Sequence, residues 1–319
     1  MKKGLFLSLA ATALLAGCSG DEVIEQAAVA KPQAITFENP FVDKATKAGD
    51  ITTADLNKFW VYGAYTNKGN IENPKDVFTN ILVEGTQDSD YTPTEAKYWV
   101  KDKDYRFTAY SNGGNQITEN IDFTNTTGNL KLTKYVAGSN DLILAHSTPN
   151  PITGLENGNG KVGLTFSHLL AKVKFTLTNK CGVQLTLKNL KFNALGTATY
   201  DNEKWGALET PKDFIFTSSQ NIANLSTNAD ECVYVIPQAN NTLKASFIIE
   251  ATIDGIDYSK KFTNVNLTAT ENKWNAGYVY NYTATITPET FGAEQIIFNV
   301  TAVEGWEDTT PKDTPVTPV

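Results

Sequence analysis

The chain has 319 residues and a formal net charge of −8 at pH 7. It contains a single arginine, Arg106, so it lacks the basic surface that a protein needs to neutralise nucleic-acid phosphates. Hydrophobic residues make up 41% and charged residues 19%, which excludes global disorder and allows two packed domains of ordinary size.

The N-terminal residues have the order of an export signal. The chain opens with basic residues, continues with an apolar run, and then small residues lead directly into Cys18. This order is typical of a bacterial lipoprotein signal, residues 1–17, whose removal leaves Cys18 to carry acyl chains. The alternatives are a chance cysteine or a membrane-spanning anchor, which needs about 20 apolar residues and is longer than this run. Residues 18–34 are then an acidic tether, in which Asp21 and Glu22 resemble a surface-export address or belong to a solvated linker.

Residues 35–47 are predicted to form an N-terminal strand that leads into a polar loop. Apolar side chains at Ile35, Phe37 and Phe41 follow the alternation of a half-buried strand. Charged residues and a glycine in the stretch 43–50 interrupt this alternation. We therefore expect an exposed loop between the first strand and the rest of the chain.

The remaining ordered chain is predicted to be almost entirely strand, because short runs rich in aromatic and β-branched residues alternate with turn residues. One short helix is expected at residues 53–58, and the dipeptide Asp254-Gly255 predicts a two-residue hairpin turn. The predicted strands lie at residues 59–65, 98–100, 105–110, 141–146, 162–177, 183–192, 214–217, 232–236, 243–254, 256–262, 278–287 and 295–303.

This pattern predicts an all-β fold with two β-sandwich domains in tandem. The loop at residues 147–163, rich in Pro, Gly and Asn, is the predicted boundary. It divides the chain into a sandwich at residues 48–163 and a second at residues 164–308. The tail at residues 309–319 is rich in Thr and Pro and is expected to be flexible.

Residues that carry chemistry are sparse. His146 and His168 lack metal-ligand spacing, and His168 is expected to be a locally hydrogen-bonded core histidine. Residues 158–163 match Gly-x-Gly-x-x-Gly, but a strand follows where a dinucleotide site needs a helix. No catalytic pattern is present, so we expect neither an enzyme nor a bound cofactor or metal.

The two remaining cysteines and the tryptophans leave alternatives open. Cys181 and Cys232 either pair, which an exported protein permits, or remain two separate thiols. The tryptophans either form an exposed sugar platform or act as core residues of the sandwiches. These tryptophans are Trp60, Trp99, Trp205, Trp274 and Trp306.

Several stretches, taken in order, resemble the fimbrillins, the subunits of type V pili. They are the lipid-site pattern at Cys18, the early loop with Thr46-Lys47-Ala48, the mid-chain stretch 166–175 (FSHLLAKVKF), the turn 272–280 (NKWNAGYVY) and the ending 297–308 (IFNVTAVEGWED). The resemblance spans roughly residues 14–308. It implies transthyretin-like sandwiches and a structural role in surface attachment.

The resemblance also implies a mechanism. The precursor is exported as an outer-membrane lipoprotein, and a trypsin-like protease cuts after a basic residue of the early loop, here Lys47 or, as second choice, Lys44. The first strand then leaves, and a strand of another pilus subunit fills the groove by strand addition. The residues expected to leave the core are Ile35, Phe37 and Phe41. The candidate donor strand carries Ile296, Ile297, Phe298, Val300 and Val303. The mature subunit would lie in the fimbrium at the cell surface, where its ligand, on a host or another bacterium, is not identified.

One departure from the family pattern is the lack of arginine in the early loop. Either a protease that accepts lysine makes the cut, or the subunit stays uncut and lipid-held, as would suit an anchor at the pilus base. The alternative function is a surface glycan-binding lipoprotein that uses β-sandwich domains and exposed tryptophans.

Overall fold

A computed structural model of the chain describes residues 32–43, 51–155, 159–267, 272–291, 296 and 298–304. Within these residues every regular element is a strand except for a 3-10 turn at Pro288–Phe291, which confirms the predicted all-β, sandwich-type fold. The strands are β1 Phe41–Val42, β2 Lys58–Asn67, β3 Lys75–Glu84, β4 Thr92–Pro93, β5 Lys103–Asn112, β6 Ile121–Thr124, β7 Asn129–Val136, β8 Leu142–Thr148, β9 Ile152–Thr153, β10 Gly163–His168, β11 Ala171–Asn179, β12 Leu185–Asp201, β13 Lys204–Ile215, β14 Ser219–Ile222, β15 Cys232–Val235, β16 Lys244–Ile253, β17 Ile256–Asn266, β18 Tyr278–Ile286 and β19 Asn299–Glu304.

The first sheet has eight strands in the order β1-β10-β8-β5-β2-β3-β4, with β9 paired to β5. Its central strand β2 is apolar on both faces, because Phe59 and Val61 point into one core while Trp60 and Tyr62 point into another. An uninterrupted run of apolar residues is expected of a strand that is covered on both sides. This sheet therefore separates two hydrophobic cores.

The second core lies mainly between two further sheets. One has four strands in the order β15-β11-β18-β19, and the other has seven, in the order β17-β16-β12-β7-β6 with β13 and β14 also paired to β12. Phe175 of β11 and Phe192 of β12 meet between them, with ring centroids 6.4 Å apart. The inward-facing residues of both sheets thus form the sandwich of the second half.

The pairing of strands bears on where the two halves divide. β10 pairs with β1 and β8 in the first sheet, whereas β6 and β7 join the third sheet through β12. The division between residues 163 and 164 stays a prediction, and sheet membership favours a division after His168. Strand alternation cannot reveal such exchanges, because it reports the local backbone and not the partner strand.

Two local predictions have clear outcomes. The Asp254-Gly255 hairpin is confirmed, because Ile253 pairs with Ile256 and both turn residues have positive φ, 51° and 77°. The short helix at residues 53–58 is wrong. Asp55 and Leu56 both donate to the Thr52 carbonyl, which makes a single turn before β2 begins at Lys58.

Candidate functional site

Residues 33–43, here called the inserted segment, lie between two walls of the first sheet. On one side is the Tyr91 wall, residues 91–99. The backbone N–H of Ile35 donates to Lys97 O at 2.8 Å, that of Phe37 donates to Tyr91 O at 2.9 Å, and that of Trp99 donates to Gln33 O at 3.0 Å. The segment is therefore paired with this wall like a strand of the sheet.

The other side of the inserted segment meets the β10 wall, residues 162–166. Val162 N donates to Thr36 O at 2.8 Å, and Glu38 N donates to Val162 O at 2.9 Å. Further along, β1 runs parallel to β10, with Val42 opposite Phe166. Because the two walls lie at opposite ends of the strand order, the inserted segment closes the first sheet on itself.

Side chains of the inserted segment complete the first core. Ile35, Phe37 and Val42 are at most 1% exposed. The ring of Phe37 lies 5.6 Å from that of Phe59 and 5.9 Å from that of Phe107, both edge to face. Without the segment these apolar surfaces would face water, so it fills a groove that the rest of the sheet leaves open.

The expectation that Phe41 points inward is wrong, because its side chain is 54% exposed. Inward positions fall at Ile35 and Phe37 and then at Pro40 and Val42, so the alternation shifts by one residue at Glu38-Asn39. Proline cannot donate to a ladder and often marks such irregularities. Val42 therefore takes the core position that the alternation assigns to Phe41.

The candidate cleavage residues Lys44 and Lys47 lie outside the described residues, as does Cys18. The described residues on either side of positions 44–50 are held by hydrogen bonds. Val42 N donates to the Thr53 hydroxyl at 3.0 Å, and Ile51 N donates to a carboxylate oxygen of Asp141 at 3.2 Å. Residues 44–50 therefore connect, along the chain, two positions that are hydrogen-bonded to the first half.

Arg106 lies in the middle of β5, opposite Ala64 of β2. Its guanidinium donates to the Thr66 hydroxyl at 3.4 Å. A protease must bind its substrate in an extended, unpaired form, so Arg106 is not a cleavage site of the folded chain.

The candidate donor strand lies within its own sandwich. β19 pairs antiparallel with β18, with Val303 opposite Val279, and it lies at the end of the four-stranded sheet. The Phe298 ring lies 5.2 Å from Phe175, and Ile296 and Val300 pack against the same core while half-buried. Ile297 lies outside the described residues.

Cys181 and Cys232 are not joined by a disulfide. Cys232 lies opposite Lys174 of β11, whereas Cys181 follows the end of that strand at Asn179. Lys174 and Asn179 are five residues apart on β11, which is roughly 16 Å of strand, so the two cysteines lie near opposite ends of this strand. Burial, with a smaller contribution from Glu289, raises the pKa of the Cys181 thiol.

His168 is a locally paired core histidine, as predicted. Its Nδ1 lies 3.0 Å from a carboxylate oxygen of Asp141, and both side chains are at most 2% exposed. Among the described residues no group of histidines, cysteines and carboxylates could hold a metal ion. The described part of the chain also contains no helix with the length and hydropathy of a membrane span.

The tryptophans do not form an exposed platform. Trp60, Trp99 and Trp274 are at most 6% exposed. Trp205 is half-buried, and its indole N–H donates to Leu169 O at 2.8 Å. Trp306 lies outside the described residues. The core alternative is therefore correct for the described tryptophans, because indoles bury large apolar areas.

The fold and this site define a class: an all-β sandwich protein whose first sheet is completed by its own N-terminal segment. The family model described as fimbrillin-like matches residues 45–306, and the chain belongs to this family, which confirms the resemblance. The family is one of structural fimbrial and adhesion proteins and is not enzymatic.

Solved structures share the fold. A fimbrial protein from Bacteroides vulgatus is 18% identical, with a TM-score of 0.54 over 85% of this chain and 99% of that one. A candidate cell adhesion protein from Bacteroides uniformis is also 18% identical, with a TM-score of 0.51 over 86% of this chain and 98% of that one. No curated protein matches the chain.

Proposed function

We propose that the chain is a structural subunit of a surface pilus, exported as a lipoprotein acylated at Cys18 and assembled by protease-triggered strand exchange. The observation that carries this proposal is the inserted segment. It is hydrogen-bonded to two walls, it places Ile35, Phe37 and Val42 in the core, and residues 44–50, which include Lys44 and Lys47, follow it in the sequence. Such a segment occupies the place that a strand from another subunit can take.

The free energy gained by burying the side chains of this segment explains why the groove must be filled by some strand. Burying three large apolar side chains contributes roughly 5–9 kcal/mol in total at about 1.5–3 kcal/mol each. A whole domain is stable by only about 5–15 kcal/mol. Loss of the segment would also leave the backbone groups of both walls without partners. The groove therefore retains the inserted segment until another strand replaces it.

The cut is assigned to Lys47, with Lys44 as second choice. Because Arg106 is held within β5, an enzyme that requires arginine has no site in the folded chain. A lysine-accepting protease is therefore the expected processing enzyme. If none acts, the subunit remains lipid-held, and its place is the base of the pilus.

The strand that enters the groove of a neighbour is assigned to the candidate donor strand. Ile296, Phe298 and Val300 pack only partly into their own core, and β19 has a paired neighbour on one side, β18.

Before processing, the subunit lies at the outer membrane, and afterwards in the fimbrium at the cell surface. There it serves adhesion to a host or bacterial ligand.

The experiment uses residues 19–319 expressed without lipid and treated briefly with trypsin. We expect a new N-terminus at Ala48, together with SDS-resistant ladders on unboiled gels and fibres by negative-stain microscopy. Lys47→Gln should move or remove the cut. Lys68→Gln changes a lysine in an exposed turn and should leave the cut unchanged. A cut at Lys47 that yields only monomers, with or without added C-terminal strand, would contradict strand exchange.

A further inference from the structure

Three connections between strands border a cavity outside the groove. They are the turn that precedes β2, the turn that follows β5 and the connection that precedes β8. The cavity has a volume of about 570 Å³, which lies within the range of roughly 300–1,000 Å³ that is usual for small-ligand sites. None of the described residues that line it belongs to the Tyr91 wall or the β10 wall. It is therefore a separate cavity, formed by loops, where binding residues are commonly found.

Lys58 brings a positive charge to this cavity. Its side chain is half-buried, and the part of the chain that the structure describes holds no carboxylate at ion-pair distance from its ammonium group. Gly114, with a φ of 72°, leaves room for this side chain, because an added Cβ there would lie 3.3 Å from Lys58 Cε. The charge is thus held partly out of water without a counter-ion, and this favours binding of an anionic group.

The two carboxylates that also line the cavity have other partners. Asp141 is 2% exposed, and its carboxylate lies 3.0 Å from His168 Nδ1. Asp55 accepts a hydrogen bond from the Thr52 hydroxyl at 2.6 Å and is exposed to solvent. Neither carboxylate neutralises Lys58. Because an ionised carboxylate has room for about four hydrogen bonds, Asp55 can still accept from a hydroxyl group of a ligand.

Two side-chain amides supply neutral donors and acceptors to the same cavity. Asn57 and Asn140 line it and make no side-chain hydrogen bond with any described residue. Each offers an acceptor oxygen and two N–H donors. Asn140 lies over Gly113, where an added Cβ would be 3.1 Å from Asn140 Oδ1. The backbone there is fixed, because Gly113 N donates to Asp141 O at 2.7 Å. One cation beside unpaired amides matches a ligand that carries one carboxylate and several hydroxyl groups.

We propose that this cavity binds an acidic sugar residue, with the sugar carboxylate on Lys58 and the sugar hydroxyls on Asn57, Asn140 and Asp55. A free inorganic anion would leave the amides unused, and a neutral sugar would leave the ammonium group without a counter-ion. The inference names a ligand class for the adhesion included in the proposed function, and it rests on that function for its biological role. The binding itself requires neither cleavage nor assembly.

The test is an NMR titration of the uncut chain, residues 19–319 without lipid. The probes are methyl glucuronide and methyl glucoside, which share the sugar ring and differ in a carboxylate against a hydroxymethyl group. We expect the glucuronide to shift the backbone amide signals of Gly113 and Gly114 with a millimolar dissociation constant. The glucoside should bind at least about tenfold more weakly, because it lacks the charge-assisted hydrogen bond to Lys58.

Three variants separate the charge from the amides. Lys58→Gln should weaken glucuronide binding about tenfold and leave glucoside binding unchanged, because it removes the ammonium group alone. Lys68→Gln removes a lysine from an exposed turn and should bind the glucuronide as wild type does. Asn140→Ala keeps the charge and should weaken binding of both sugars. Urea midpoints equal to that of wild type show that each variant is folded.

Each contrary outcome overturns the inference. It fails if the glucuronide shifts neither glycine amide, if the glucoside binds equally well, or if Lys58→Gln binds the glucuronide like wild type. Acetate that shifts the same amides with the affinity of the glucuronide would assign the cavity to a free carboxylate and not to a sugar. Because the uncut monomer is titrated, a chain that binds the glucuronide but forms no polymer after trimming contradicts strand exchange alone. Polymer formation without glucuronide binding contradicts the sugar site alone.

Discussion

Phe37 and Tyr91 exchange backbone hydrogen bonds across the groove: Phe37 N donates to Tyr91 O at 2.9 Å, and Tyr91 N donates to Phe37 O at 3.4 Å. The Tyr91 hydroxyl also donates to the carbonyl of Leu56, which follows residues 44–50 in the chain. Its ring stacks on Phe59, which contacts Phe37 edge to face. Tyr91 thus connects the inserted segment to the chain on the far side of the candidate cut. We expect the segment to stay bound after cleavage until another strand displaces it.

The first prediction concerns the inward side chain of the segment. Phe37→Ala in the uncut chain should lower the free energy of unfolding by about 3–5 kcal/mol, because it removes a fully buried ring and leaves a cavity. Phe37 is 0% exposed and contacts several aromatic rings. Urea unfolding followed by fluorescence measures the change.

Phe41→Ala is the matched control for this prediction. The same substitution four residues along removes a side chain that is 54% exposed, so stability should change by no more than about 0.5 kcal/mol. Equal losses for the two variants would contradict the inward position of Phe37 and the outward position of Phe41.

The second prediction concerns the glycine beneath Tyr91. An added Cβ at Gly85 would lie 2.7 Å from the Tyr91 ring and 2.9 Å from the Tyr91 Cα, so the wall residue must move. Gly85→Ala should therefore destabilise the uncut chain by about 1–3 kcal/mol and speed release of the segment after cleavage. Gly160→Ala meets no atom within 4 Å and serves as the control. Gel filtration measures how long the cleaved segment stays bound, and this time should be the same in Gly160→Ala and wild type.

The third prediction concerns protease specificity. Arg106 is paired within β5, so an arginine-specific protease should leave the folded chain intact. In denaturant the same enzyme should cut after Arg106, because local protection disappears when the strand opens. A lysine-specific protease should cut the folded chain after Lys44 or Lys47. Cleavage after Arg106 under native conditions, detected by mass spectrometry, would show that β5 opens locally.

The fourth prediction concerns acid stability. Burial lowers the pKa of His146 below 6.5, although Glu203 opposes this shift. Below pH 6.5 the unfolded chain binds a proton at His146 more readily than the folded chain does, so folding stability falls as the pH falls. His146→Gln keeps a group that can bond to the Thr108 hydroxyl and removes the titration. Urea midpoints measured at pH 7.5, 6.5 and 5.5 should fall less steeply with decreasing pH in His146→Gln than in wild type. An equal fall in both proteins would contradict the role of His146 in acid stability.

Part of the site follows from local sequence and part does not. The alternation at Ile35 and Phe37 correctly predicts that both side chains face the core, and the run at residues 59–65 correctly predicts a strand, β2. The alternation fails at Phe41, because the break at Glu38-Asn39 shifts the phase by one residue. A one-residue shift reverses which side chains face the core, and no property of Phe41 itself signals it.

By itself the sequence determined that the regular elements of the described residues are almost all strands, where the Asp254-Gly255 hairpin turns, and that the chain resembles the fimbrillins. The strands and the turn depend on residues close together in the chain, where side-chain period and turn geometry act directly, and the resemblance depends on the order of short stretches of sequence. Only the tertiary structure decided that β10 joins the first sheet, that β6 and β7 join the third, and that residues 33–43 lie between two walls. The choice of partner strand depends on hydrogen bonds between distant residues, and a local period carries no record of them.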